Sequence, residues 1–213
     1  MKKIKVGIIT MSDGREYLHE EYKDMLLSYQ KDIAEALEAE GSFEVIEGLR
    51  AVNSNTVAKE EAIRIKEAGA ELTIFNYAIW CYPQYTAVAQ NFAPGPYLLF
   101  CNLHPSECGM VGMLAAAGTL DQLGIPCHRL WGSVKDPQVF SRMVAFLKAA
   151  AAVCRLRGMT FGNFGGRPMG MYTAVASAEQ WQREFGIDIV NVEQDDIIRA
   201  GELASQEKVD AAF

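Results

Sequence analysis

The sequence predicts an α/β protein, with a doubly wound parallel sheet of the flavodoxin or Rossmann type followed by the start of a second α/β domain. Three observations support this prediction. Short apolar runs alternate with longer segments that have helical periodicity. The apolar runs carry almost no charge, as parallel strands buried on both faces require. Glycines follow several of the helical segments, where a left-handed residue commonly ends a helix.

Composition and charge narrow the class of protein. The chain has 213 residues, of which 50% are hydrophobic and 22% charged, and its formal net charge is −7. This composition is globular, and the negative charge argues against a nucleic-acid partner. The sequence contains no apolar run of membrane-spanning length and no recognisable signal peptide, so we expect no membrane partner. Five cysteines without disulfide-like spacing fit reduced thiols and a cytoplasmic location.

The first predicted domain covers residues 1–157 and contains alternating strands and helices. The strands are predicted at residues 3–9, 43–46, 72–76, 97–101 and 126–131, and the helices at 20–40, 53–68, 107–123 and 137–156. Start signals are Asn53 or Ser54, Ser106, and Asp136 followed by Pro137. The stop signals are Gly41, Gly69 and Gly124. Such alternation predicts right-handed crossovers and one parallel sheet.

The second predicted domain covers residues 158–213 and has only two strand–helix pairs. Its strands are predicted at residues 159–164 and 187–192, and its helices begin near Ser177 and Asp195. Ser177 opens a capping-box pattern, and Gly186 ends that helix. Because two strands make a poor sheet, this unit either continues the first sheet or is completed by something absent from the chain.

Ligands of open parallel sheets bind beyond the carboxyl ends of the strands, where this sequence places two polar or aromatic segments. Asp13-Gly14-Arg15 follows the first strand. Arg15 could donate hydrogen bonds to sugar hydroxyls or a carboxylate, or it could simply pair with a nearby acid. Trp80 to Pro83 follow the third strand. They could form a platform for the C–H face of a sugar, or pack against a helix or a second subunit.

Three other patterns are explained better by structure than by chemistry. The segment Cys101–Cys108 invites a zinc hypothesis, but it lacks a C-x-x-C pair, so buried thiols are favoured. The acids at 193–196 fit capping of a helix start better than a catalytic pair. The glycines of residues 162–170 match neither a P-loop nor G-x-G-x-x-G, which argues against a nucleotide or dinucleotide site.

Three stretches of sequence go beyond these generic signals. They are VGIITMSDGRE (residues 6–16), AIWCYPQ (78–84) and NFGGRPMGMYT (163–173). In this order and rough spacing they resemble the amino-terminal part of the L-fucose isomerase family, within the fucose/arabinose isomerase group. The resemblance covers most of the chain. It implies an aldose–ketose isomerase that moves a proton through an ene-diol of an open-chain sugar, assisted by a divalent metal, typically manganese.

The resemblance also implies roles for three residues. Arg15 and Trp80 match residues that line the sugar pocket of a neighbouring subunit, and Met169 matches a pocket residue of the subunit that holds the metal. The first domain would therefore take part in a homo-oligomer. The glycines beside Met169 would let the backbone approach the sugar, whereas Arg167 has no assigned role.

The family's catalytic Glu and Asp and its metal-binding His lie in the later half of much longer chains. We therefore expect no catalytic residue and no metal ligand in this chain, and no activity from it alone. Two alternatives stay open: a stand-alone, non-catalytic sugar-binding or regulatory module of the same fold, and, less favoured, an unrelated flavodoxin-like nucleotide or phosphate binder.

Overall fold

The computed structural model describes residues 2–212. Contacts divide the chain into two compact units, unit 1 (Met1–Ala152) and unit 2 (Val153–Phe213). The division falls within the helix Pro137–Leu156. The predicted domain boundary between residues 157 and 158 stays a prediction.

Unit 1 is built on a five-stranded parallel sheet in the order β2-β1-β3-β4-β5. The strands are β1 (Ile4–Thr10), β2 (Phe43–Glu47), β3 (Leu72–Tyr77), β4 (Tyr97–Asn102) and β5 (Cys127–Gly132). The helices are α1 (Glu16–Glu40), α2 (Asn55–Glu67), α3 (Pro83–Ala89), α4 (Gly109–Gln122) and α5 (Pro137–Leu156). The α/β class and the doubly wound parallel sheet are thereby confirmed.

Both faces of this sheet are buried, which explains the uncharged strand sequences. Every residue of β3 and β4 is buried. Side chains alternate between the faces: Phe75 packs in a core with α2, α3 and α4, whereas Ile74 packs in a second core with α1 and α5. The predicted helix ends at Gly41 and Gly69 are confirmed, because both glycines have left-handed φ angles of 92° and 89°.

Three helix predictions in unit 1 need correction. Helix α1 begins at Glu16 rather than residue 20, because its largely exposed first turn lacks the apolar spacing on which the prediction depended. Helix α3 was not predicted; it has 7 residues, too few to show a helical period. Helix α4 begins at Gly109, with Cys108 rather than Ser106 at the cap. Ser106 instead hydrogen bonds to His104 Nδ1.

The described part of unit 2 contains a two-stranded parallel sheet, three short α-helices and two 3-10 turns. Its elements are β6 (Thr160–Phe164), β7 (Asp188–Val192), α6 (Ala178–Phe185), α7 (Gln194–Glu202) and α8 (Gln206–Ala212), of which α8 was not predicted. The Ser177 cap is confirmed, because its hydroxyl accepts the Gln180 N–H at 3.2 Å. Within the described part of this unit, Ile187 is the only buried hydrophobic residue. The start of a second α/β domain therefore forms without a substantial core.

Candidate functional site

The loops that follow β1 and β3 lie at the topological switch point of the unit 1 sheet, which we call the β1/β3 crevice. The chain leaves β1 toward β2 on one side and leaves β3 toward β4 on the other side, so the two connections run in opposite directions along the sheet. In this topology ligands bind at such a switch point. The first loop carries Asp13 to Arg15 and the second carries Trp80. The structure thus brings two of the three sequence-predicted site residues to one edge of the sheet.

Arg15 is held in place by Asp13. The Asp13 side chain is 1% exposed, and it accepts Arg15 Nε at 3.0 Å, Nη2 at 2.7 Å and the Arg15 backbone N–H at 2.9 Å. The Arg15 side chain remains 48% exposed. Pairing with an acid, one of the two alternatives for Arg15, is therefore what the structure shows. Asp13 uses only part of the guanidinium's hydrogen-bond capacity, and other N–H groups are left for a ligand.

Electrostatics keep this pair ionised. Burial raises the pKa of the Asp13 carboxyl, but the hydrogen bonds and charge of Arg15 outweigh it, so the pKa lies below its ordinary value. The hydrogen bond from the guanidinium to Asp13 raises the pKa of Arg15. Both groups are charged at neutral pH, and the crevice presents a neutralised ion pair rather than a free cation.

Gly14 allows the loop after β1 to pack against the loop after β3. A Cβ atom at this position would lie 2.2 Å from the Tyr85 hydroxyl oxygen and 2.6 Å from a ring carbon of Tyr82. The two tyrosine rings form an edge-to-face pair with centroids 5.8 Å apart. The Asp-Gly-Arg turn therefore needs glycine for close approach. Sequence analysis placed Tyr82 at this edge within the aromatic segment after the third strand, but it missed Tyr85.

The Trp80 loop lies against the start of α4. A Cβ at Gly109 would sit 2.5 Å from the carbonyl carbon of Ala78, and one at Gly112 would sit 3.0 Å from the backbone nitrogen of Cys81. Small residues on α4 thus let the helix contact the loop backbone directly. Packing against a helix, one alternative for this segment, accounts for the backbone, while Trp80 itself stays partly exposed.

The third predicted residue, Met169, belongs to unit 2. It is 91% exposed and has a φ of 50°, the only positive φ among the described non-glycine residues. Gly165, Gly166 and Gly170 also have positive φ angles, so this loop contains several residues in the left-handed region. The Arg167 guanidinium lies 4.6 Å from the centroid of the Tyr172 ring, a cation–π contact that supplies a bracing role for Arg167.

The segment Cys101–Cys108 and the acids at 193–196 form no site among the described residues. Within residues 2–212, no three His, Cys, Asp or Glu side chains come together in a way that could hold a metal ion. Cys101 is buried, and this burial raises the pKa of its thiol to about 12. Asp195 and Asp196 occupy the first turn of α7, as expected for acids at a helix start. None of the described helices has the length and apolar character needed to cross a membrane.

Comparisons with known proteins point to the same family as the resemblance of the three sequence motifs. A family model described as "L-fucose isomerase, first N-terminal domain" matches residues 3–158. The L-fucose isomerase of Phocaeicola vulgatus is 26% identical over 215 residues, which cover 93% of this chain and 36% of that protein. That of Haemophilus influenzae is 24% identical over 228 residues, which cover 99% and 38%. That of Bacteroides thetaiotaomicron is 25% identical over 215 residues, covering 93% and 36%.

These matches cover nearly all of this chain but only part of each relative. The chain spans 36–38% of the length of these curated relatives. The family model covers the whole five-stranded sheet, including both loops of the crevice. A match over most of the chain shows that this chain belongs to the L-fucose isomerase family.

Proposed function

We propose that the chain is the amino-terminal region of an aldose–ketose isomerase that acts on an open-chain sugar with a divalent metal. In this proposal the chain supplies walls of the sugar pocket and contacts between subunits, while other segments supply the acids that move the proton. The observation that carries the proposal is the Asp13–Arg15 pair at the β1/β3 crevice. A guanidinium fixed on one side and half exposed on the other suits hydrogen bonding to hydroxyls.

Each of the three candidate residues offers a different contact to a sugar. Arg15 donates hydrogen bonds to hydroxyl oxygens. Trp80 provides an aromatic face for C–H groups and an indole N–H. Met169 provides a soft apolar side chain on a loop whose glycines allow close backbone approach. None of these groups is an acid or base that exchanges protons near neutral pH, so their role is to bind and orient the substrate.

We propose that a metal assists the isomerisation but that this chain does not supply its ligands. When bound, a divalent ion such as manganese holds neighbouring sugar oxygens and stabilises negative charge that develops on them. The described residues do not fit it, because no cluster of three possible ligands exists among them. We therefore derive no step through a metal from this chain, and we place its ligands and the catalytic acids in the part of the longer relatives that the chain does not match.

We further propose that copies associate through the first domain, so that Arg15 and Trp80 of one subunit face a pocket of another. The outer face of α4 supports this proposal. Val111 is 55% exposed and Leu114 is 48% exposed, one turn apart on a helix without charge before Asp121. Exposed apolar residues grouped in this way commonly mark a protein–protein contact.

The purified chain tests two parts of this proposal: that it does not isomerise a sugar by itself, and that it binds one weakly. With manganese and L-fucose or L-arabinose we expect no ketose, and with the corresponding open-chain alditols we expect weak binding, with a Kd above about 1 mM. NMR shifts should appear at the Trp80 indole and weaken in Arg15→Lys. The control Arg129→Lys, which lies on β5, should leave them unchanged. Ketose formation by the chain alone would contradict the proposal, and tight sugar binding would favour the stand-alone binding module.

A further inference from the structure

Four buried polar side chains form a continuous hydrogen-bonded row beneath the carboxyl edge of the unit 1 sheet. The row runs from helix α1 across β1 and β3 to β4. Its members are Gln30, Thr10, Asn76 and Asn102, which are 0–4% exposed. Thr10 Oγ1 donates to Gln30 Oε1 at 2.8 Å, Asn76 Nδ2 donates to Thr10 Oγ1 at 3.0 Å, and Asn102 Nδ2 donates to Asn76 Oδ1 at 2.6 Å.

Both ends of the row rest on backbone carbonyls, and this fixes the direction of every bond. Gln30 Nε2 donates to Gly48 O at 2.9 Å, so its side-chain oxygen must be the atom that faces Thr10. Thr10 has one hydroxyl proton, which it gives to Gln30, so it accepts from the Asn76 amide nitrogen. Asn76 then offers its oxygen to Asn102. At the far end, Asn102 Nδ2 also donates to Tyr77 O at 3.2 Å.

The consequence is an acceptor that has no donor among residues 2–212. With its amide nitrogen committed to Asn76 and Tyr77, Asn102 turns its Oδ1 away from the row, and no described residue donates a hydrogen bond to that oxygen. Asn102 is only 4% exposed. Asn102 Oδ1 is not among the described buried atoms that lack a hydrogen-bond partner, so it keeps some solvent-accessible surface. A donor from outside the chain, water or a ligand hydroxyl, can therefore reach it.

Asn102 lines a cavity of about 170 Å³ beyond the ends of β4 and β5. The other lining residues are Tyr29, Asp32, Leu103, Gly132, Ser133, Val134 and Lys135. The two charged members neutralise each other, since Lys135 Nζ lies 2.9 Å from Asp32 Oδ2. A cavity with hydroxyls on its wall and no net charge favours a neutral ligand over an ammonium or an anion.

We propose that this cavity is a second ligand site, separate from the Arg15 crevice, that binds a small neutral polyhydroxy compound. A ligand hydroxyl donates to Asn102 Oδ1, and the hydroxyls of Ser133 and Tyr29 complete the contacts. The volume limits the ligand to a few carbon atoms or to one end of a longer polyol. The inference rests on the hydrogen-bonded row and the cavity alone, and it holds whether or not the chain takes part in sugar isomerisation.

An NMR titration of the 213-residue chain with erythritol tests this site. We expect saturable shifts of the Asn102 side-chain amide and the Ser133 backbone amide. Asn102→Ala should weaken binding about five- to tenfold, the effect of losing one hydrogen bond. The matched control Asn91→Ala, at an exposed position on another loop, should bind as the wild type does. Two further ligands, 1,4-butanediol without vicinal hydroxyls and ethylammonium, should bind more weakly than erythritol.

Because Asn102→Ala also removes donors from the row, a second variant keeps the test independent of folding. Ser133→Ala leaves the row intact and should weaken erythritol binding roughly two- to fivefold. The site is overturned if no saturable shift appears, or if erythritol binds Ser133→Ala and a folded Asn102→Ala as well as it binds the wild type. Stronger binding of ethylammonium than of erythritol would overturn the ligand class.

Discussion

Units 1 and 2 use the same building blocks and reach different degrees of burial. Both contain parallel strands followed by helices. In unit 1 all residues of β3 and β4 are buried, whereas in unit 2 no residue of β6 or β7 is. Five strands covered on both faces enclose a core, but two strands with short helices do not. Local sequence therefore indicates the strands and the longer helices of both units, whereas burial depends on the number of packed layers.

The candidate sugar-binding residues of the two units also differ in how much buried structure supports them. Arg15 is held by the Asp13 carboxylate, which is 1% exposed. Its loop packs through Gly14 against the segment that follows β3. Met169 is 91% exposed on a glycine-rich loop with few buried contacts nearby. Segments with little buried apolar surface open at low free energy. We therefore expect a preformed wall at the crevice of unit 1 and an adaptable one at the loop of unit 2.

The largest expected effect comes from truncating one phenylalanine in each unit. Phe100→Ala on β4 removes a fully buried ring and should lower the free energy of unfolding by about 3–5 kcal/mol. Phe164→Ala on β6 truncates a ring that is 62% exposed and should cost less than about 1 kcal/mol. Urea unfolding followed by circular dichroism measures both variants. Equal losses would show that the sheet of unit 2 is buried as well as that of unit 1.

An intermediate effect is expected from adding one methyl group to a helix. Gly109→Ala places a Cβ 2.5 Å from the Ala78 carbonyl and should destabilise unit 1 by about 1–3 kcal/mol. Gly118→Ala in the same helix and Gly201→Ala in α7 meet no atom within 4 Å. Both should be neutral or stabilising by up to about 1 kcal/mol, because alanine favours helix. Thermal unfolding compares the three variants, and a similar loss at positions 109 and 118 would argue against tight packing on the Trp80 loop.

The smallest effect concerns acid stability. Because the pKa of Asp13 is lower in the folded chain than in the unfolded chain, its contribution is complete above a pH of about 4. This contribution to stability is lost as the pH falls through the lowered pKa that Asp13 has in the folded chain. Asp13→Asn should cost about 1–2 kcal/mol at pH 7 and flatten the fall in stability below about pH 4. Urea unfolding at several pH values measures this.

Glu179 provides the matched comparison in unit 2. Hydrogen bonds from its own backbone and from Ser177 lower the pKa of its carboxyl, but the group is solvent-exposed. Glu179→Gln should therefore change the acid dependence less than Asp13→Asn does. The opposite order would mean that the buried ion pair at the crevice contributes little to the stability of unit 1.

Much of this fold could be predicted from local signals. Uncharged apolar runs identified the strands, and Gly41, Gly69 and Gly186 identified helix ends because each must adopt a left-handed conformation. The capping residues Ser54 and Ser177 accept the expected backbone N–H groups. Helix α3 escaped prediction because a short element on the surface of a larger core carries no period of its own.

The sequence by itself determined the order of the strands and of the longer helices, the family motifs and the candidate site residues, since periodicity, capping and glycine conformation are local properties. Only the tertiary structure decided what those residues touch. It paired Arg15 with Asp13, set Gly14 against two tyrosines, and joined Thr10, Gln30, Asn76 and Asn102 into one row. Positions as far as 66 residues apart meet in that row, because parallel strands distant in the sequence end at a common edge of the sheet.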